Sequence, residues 1–92
     1  MTAAEFQDIE RFVEDMNDQE QRGGGYLSWN VFNIGRGEIS LLSYMPMEYP
    51  DMDEGANYFF VEMVEHIEDE FGIKCVKYDW VDNHVSQAIF KV

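Results

Sequence analysis

The sequence predicts an α+β domain in which two helices pack on one face of a four-stranded antiparallel sheet, in the chain order αββαββ. Three observations carry that expectation. Apolar residues recur at helical spacing over residues 3 to about 20 and again over 56–71. Four segments rich in aromatic and β-branched residues, 26–34, 38–45, 73–81 and 84–92, fall in pairs after each helix. Within each pair the separator is short, "GRG" in the first and Asp82-Asn83 in the second, which makes each pair a hairpin.

The first helix begins at a capping box, Thr2 with Glu5 three residues on, and Phe6, Ile9, Phe12, Val13 and Met16 then follow one face. Three glycines in "RGGG", residues 22–25, stop it, because each forfeits backbone entropy inside a helix. In the first hairpin Leu27, Trp29 and Val31 share a face opposite Ile39 and Leu41, and Phe32 and Ile34 break the alternation, as at a bulge. The two-proline stretch 46–55 is a loop in which Asp51 or Asp53 caps the second helix. Ala56, Phe60, Met63, Val64, Ile67 and Phe71 make that helix's apolar stripe, and Gly72 suits the left-handed position that ends it. The element order is that of a ferredoxin-like βαββαβ domain whose first strand has moved to the end of the chain. A four-strand meander under two helices is the simpler alternative.

Length and composition fit one domain over residues 1–92, since 46% hydrophobic and 15% aromatic content is enough for a core and too much for a disordered acidic tail. A net charge of −13, from nineteen acids and six bases, sets the chain against direct binding of nucleic acid and of anionic membranes. No run of eighteen apolar residues and no secretory leader pattern is present, and the single Cys75 forms no internal disulfide, so a cytoplasmic location is expected.

Catalytic and metal-binding patterns are weak. Asp51, Asp53 and Glu62 match positions one, three and twelve of a calcium loop, but Gly55 and Ala56 stand where an oxygen ligand and a glycine belong. Glu62, His66 and Glu70 are spaced one helical turn apart, yet ligands from one helix do not close a site, and nothing obliges His84 to approach. Cys75 has one neighbouring cation, Lys74, and reads as a packed strand residue rather than a nucleophile. "GRG" lacks the lysine and hydroxyl residue of a phosphate-binding loop. Trp29, Phe32 and Tyr44 would stack on bases only with a basic track beside them, which the chain lacks. No enzyme activity and no cofactor are expected.

The charge distribution is the anomaly. Ten acids and no Lys or Arg lie between Arg36 and Lys74. "HIEDEFG", residues 66–72, puts Glu68, Asp69 and Glu70 at a helix C-terminus, where the backbone dipole already disfavours negative charge. Glu62, Glu65 and Asp69 form a row stepping about 5 Å per turn, with Tyr58 on the same face as a candidate anchor. Asp8, Glu14, Asp15 and Asp18 add acids on the first helix. Solvated acidic faces are common, so solubility or adaptation to high salt is the plain explanation. The functional one is that such rows imitate phosphates and compete for a basic groove.

In size, charge and acidic helices the chain resembles small phage- or plasmid-encoded inhibitors of bacterial defence, the anti-CRISPR and anti-restriction proteins, some of which mimic DNA. The resemblance implies a non-enzymatic, phage-encoded inhibitor acting inside a bacterial host, as monomer or homodimer, whose partner is a basic nucleic-acid-binding protein. The acidic rows themselves, not any aligned motif, single out Glu62, Glu65, Asp69 and Glu68 as the expected contacts, then Asp8, Asp15, Glu14, Asp18 and Tyr58. An immunity protein against a nuclease toxin has the same electrostatics. The remaining class is a housekeeping interaction module, dimeric through a sheet edge with apolar contacts around Tyr44, Met45, Met47 and Tyr49, its acids serving solubility alone.

Overall fold

The computed structural model describes residues 2–23, 27–45, 54–82 and 84–92, with the side chains of 54–58, 80 and 82 excepted. Its elements run α1 (Ala3–Arg22), β1 (Ser28–Gly35), β2 (Glu38–Tyr44), α2 (Glu54–Phe71), β3 (Lys74–Asp82) and β4 (Val85–Lys91). This is the expected αββαββ order, and every strand pairing is antiparallel. The expected caps Asp51 and Asp53 lie outside the described residues, as do Met47 and Tyr49.

Local chemistry fixes the ends of the elements. Glu5 N–H donates to Thr2 Oγ1 at 3.2 Å and Thr2 N–H to the Glu5 carboxylate at 3.4 Å, closing the capping box of α1. Arg36 between Gly35 and Gly37 turns the first hairpin with positive φ at all three residues, and the register shifts between Asn33 and Gly35, where alternation breaks in the sequence. Gly72 ends α2 at φ 65°, its N–H donating to the Glu68 carbonyl at 2.9 Å.

Strand order is β1-β2-β4-β3, not a meander. Because α2 carries the chain back across the sheet, β2 and β3 run the same way and cannot be antiparallel neighbours. The β3–β4 hairpin then places β4 between them, pairing with both. That is the arrangement a ferredoxin-like topology acquires when its first strand becomes its last.

One sheet face is closed by helices. Ile9 and Val13 of α1 and Phe60, Met63, Val64 and Ile67 of α2 are buried with Trp29, Ile39, Leu41, Ala88 and Phe90. Val31 pairs with Leu41, as the alternation requires, and Cys75 packs partly buried against the same core. Phe12 meets Phe71 edge to face at 5.6 Å, joining the two helices. On the other face the register aligns Phe32, Leu42, Tyr44, Val85 and Ile89, and among the described residues no helix lies over them.

Candidate functional site

With 3.6 residues per turn, the core residues of α2 centre on one direction, and Glu62, Glu65 and Asp69 point the opposite way. Glu65 and Asp69 are exposed, and Glu62 is half-buried. The expected row therefore exists on the outer ridge of α2. Tyr58 has its backbone in α2, but its side chain lies outside the described residues. Nothing basic occupies the last turn, and among the described residues no ion pair reaches Glu65, Asp69 or Glu70.

Glu68 is different. It sits half-buried on the flank of α2, and its Oε2 accepts the backbone N–H of Cys75 at 2.9 Å. One of the three acids at this helix end is thus committed to holding β3. Burial pushes the Cys75 thiol above its ordinary pKa, and the Glu68 carboxylate adds to the rise, against a lowering hydrogen bond to the Lys77 carbonyl. A thiol held protonated in this way is a poor nucleophile.

On α1 the acids divide between two flanks. Glu10 and Glu14 line a small recess with Asn17, Trp29 and Asn30 beside the outer edge of β1. Asp8 faces the other way, lining with Glu5, Glu70 and Lys91 a groove of about 390 Å³ where α1 approaches the end of α2. Asp15 follows Asp8 by two turns, Asp18 follows Glu14 by one, and all are exposed. Arg11 lies between the flanks and reaches Asp8 at 3.8 Å, an exposed pair worth little. Of the acids on α1, only those on the Asp8 and Asp15 flank turn towards α2.

The charge is segregated by layer. The two helices carry thirteen acids against two arginines, whereas the four strands and the β1–β2 turn carry three acids against four bases. The helical layer is an anionic shell and the sheet is nearly neutral.

Sequence periodicity did not reveal Asn17. Its side-chain Nδ2 donates to the Trp29 carbonyl at 2.7 Å and its Oδ1 accepts the Trp29 N–H at 2.8 Å, so it occupies the outward backbone groups of an edge strand. With Glu68 on Cys75, each helix sends one polar side chain to an edge of the sheet, which blunts both edges against strand addition. A polar residue beside an apolar helical stripe was the available signal, but its partner is fixed only by tertiary structure. Among the described residues no three metal-ligating side chains cluster, and no helix is long and apolar enough to cross a membrane. Comparison with known protein families, curated proteins and solved structures finds no match to the chain.

Proposed function

We propose that this chain is a non-enzymatic, phage-encoded inhibitor that binds a basic nucleic-acid-handling protein, a CRISPR effector or a restriction enzyme, and occludes its groove by charge mimicry. The observation that carries the reading is the outer ridge of α2, where Glu65 and Asp69 are exposed beside Glu62 on a helix whose last turn holds no base. A basic groove lined for phosphates would meet carboxylates spaced about 5 Å apart on a preformed helix, with the Asp8 and Asp15 flank of α1 extending the anionic surface. Rigid anchoring by Phe60, Met63, Val64 and Ile67 favours this role, since a partner need not order the helix on binding.

Such association is fast at low salt and weakens steeply as salt rises. The test is capture of a basic nuclease or effector complex from a bacterial lysate on the immobilised chain, followed by a salt gradient. Release at moderate salt, and loss of capture in a folded Glu62→Lys, Glu65→Lys double variant, support the reading. Capture undiminished in that variant overturns it.

A further inference from the structure

We infer that the helix-free face of the sheet docks a second copy of this chain, face to face, making a two-fold dimer with the acidic helices on its two outer sides. The register lays out that face in rows. Tyr44 pairs with Val85, Leu42 with Gln87, Ser40 with Ile89 and Glu38 with Lys91, while Phe32 flanks Ser40 from β1 and Lys77 flanks Ile89 from β3. Phe32 is 47% exposed, and Ile34 beside it 51%. The centre is neutral and internally satisfied, for Gln87 Nε2 donates to the buried Ser40 hydroxyl at 2.8 Å. Charges keep to the rim, at Glu38, Lys91, Lys74 and the 3.3 Å pair of Lys77 with Asp79. Apolar Phe32, Leu42, Tyr44, Val85 and Ile89 around one satisfied polar pair, with the charges at the rim, match the anatomy of a protein interface.

Charge selects the occupant. A second chain of net charge −13 is repelled by the helical layer, with thirteen acids against two arginines, and not by this sheet, whose strands and turn carry three acids against four bases. Stacking the sheets sets the helical layers about 30 Å apart across three layer spacings of about 10 Å, well beyond the screening length of about 8 Å at physiological salt. The face is also self-complementary. A two-fold axis between β2 and β4 and along them lays β2 of one copy over β4 of the other, to within the twist of stacked sheets. Tyr44 then faces Val85 of the second copy, and Glu38 faces its Lys91. Four strands of seven residues give a flat footprint of about 440 Å², which side-chain relief brings to the scale of small specific interfaces, about 600 Å² per partner. Strand addition at the edges is the competing mode, and Asn17 and Glu68 occupy backbone groups there.

Sedimentation equilibrium of the full chain across micromolar concentrations, at low and high salt, tests this. The expected mass is twice 10.8 kDa, undiminished by salt. Phe32→Glu with Tyr44→Glu should sediment as a monomer, while Glu65→Lys with Asp69→Lys stays dimeric. Mixing isotope-labelled with unlabelled chains should give intermolecular contacts from the Tyr44 ring to Val85 methyls, which needs no variant to fold. A wild-type monomer at every concentration, a dimer that survives the face variant, or a dimer lost in the helix variant overturns the inference. Because the face variant leaves the acidic ridge intact, its capture of a basic partner is unaffected by failure of the dimer.

Discussion

The Glu68 carboxylate accepts the backbone N–H of Cys75 at 2.9 Å, spanning the turn at Gly72 and binding the last turn of α2 to the start of β3. An acid at a helix C-terminus is disfavoured by about 0.3 to 1 kcal/mol, and a hydrogen bond to a charged group returns about 1.5 to 3 kcal/mol. Glu68→Ala should therefore lower stability by about 1 kcal/mol or somewhat more. Asp69→Asn, with the same dipole penalty and no such bond, should raise it by a few tenths of a kcal/mol. Urea unfolding of the two variants should give opposite signs, and equal signs would refute this division of roles.

Asn17→Ala removes two hydrogen bonds at once, both under 2.9 Å and partly buried, and leaves the outward N–H and carbonyl of Trp29 without them. The expected loss is about 2 kcal/mol, with faster hydrogen exchange at the Trp29 amide. Asn17→Asp keeps an acceptor for that N–H but sets a carboxylate against the carbonyl, so it should rescue little. Exchange at Trp29 no faster than in wild type would show that the edge is protected by something else.

Much of this fold is legible in the chain because it is written in short-range patterns. The capping box at Thr2 and Glu5, the stripe through Phe60, Met63, Val64 and Ile67, the "GRG" turn and the left-handed Gly72 each depend on residues within one or two turns of one another. Strand order is not of that kind. Alternation in 84–92 places Ser86, Ala88 and Phe90 on one face but is silent on which edge of which strand they join, and the meander fell to the direction of the crossover through α2. The outer row Glu62, Glu65, Asp69 was equally readable from helical spacing. The different fate of Glu68 was not, because a carboxylate and a strand amide seven residues apart meet only after Gly72 turns the chain.

Ser43 and Ser86 are cross-strand neighbours, both almost wholly buried. Ser86 has an interaction, whereas the Ser43 hydroxyl, like the Trp29 indole N–H on the adjacent strand, has no hydrogen-bond partner among the described residues. A buried hydroxyl without a partner costs about 1 to 3 kcal/mol, and removing an oxygen this small leaves little cavity. Ser43→Ala should accordingly stabilise the domain by about 1 kcal/mol, measured by the midpoint of urea unfolding. Destabilisation would mean that the hydroxyl finds a partner in solution.

The Cys75 thiol releases its proton above the ordinary thiol range, chiefly because burial disfavours the thiolate and also because Glu68 stands beside it. Folded protein then holds that proton more tightly than the unfolded chain, so the thiol's contribution to stability is complete at neutral pH and is lost as pH rises through the folded value. Alkylation rates of the native protein should reach half-maximum at a higher pH than those of the urea-unfolded chain. Glu68→Gln should move that midpoint down part of the way, since the carboxylate's share vanishes and burial remains. A native midpoint at or below the unfolded one would contradict the burial of this strand residue.

Repulsion within the helical layer should be visible in stability alone. Glu62 with Glu65, Glu65 with Asp69, Glu10 with Glu14 and Glu14 with Asp18 are like-charge pairs three or four residues apart, each costing about 0.2 to 0.5 kcal/mol at low ionic strength. The exposed Arg11–Asp8 pair offsets little of this. Raising salt from about 0.01 M to 0.15 M shortens the screening length from about 30 Å to 8 Å and should relieve about 1 kcal/mol. In a chain of this size that is a rise in Tm of about 4 to 8 °C. Glu65→Gln sits in two of the four pairs, so it should raise the low-salt Tm and shrink the salt response together. If Tm were flat in salt, or fell, the carboxylates would be spread widely enough not to repel, and a helix ridge of that kind would not present the charge density that occupying a phosphate-binding groove requires.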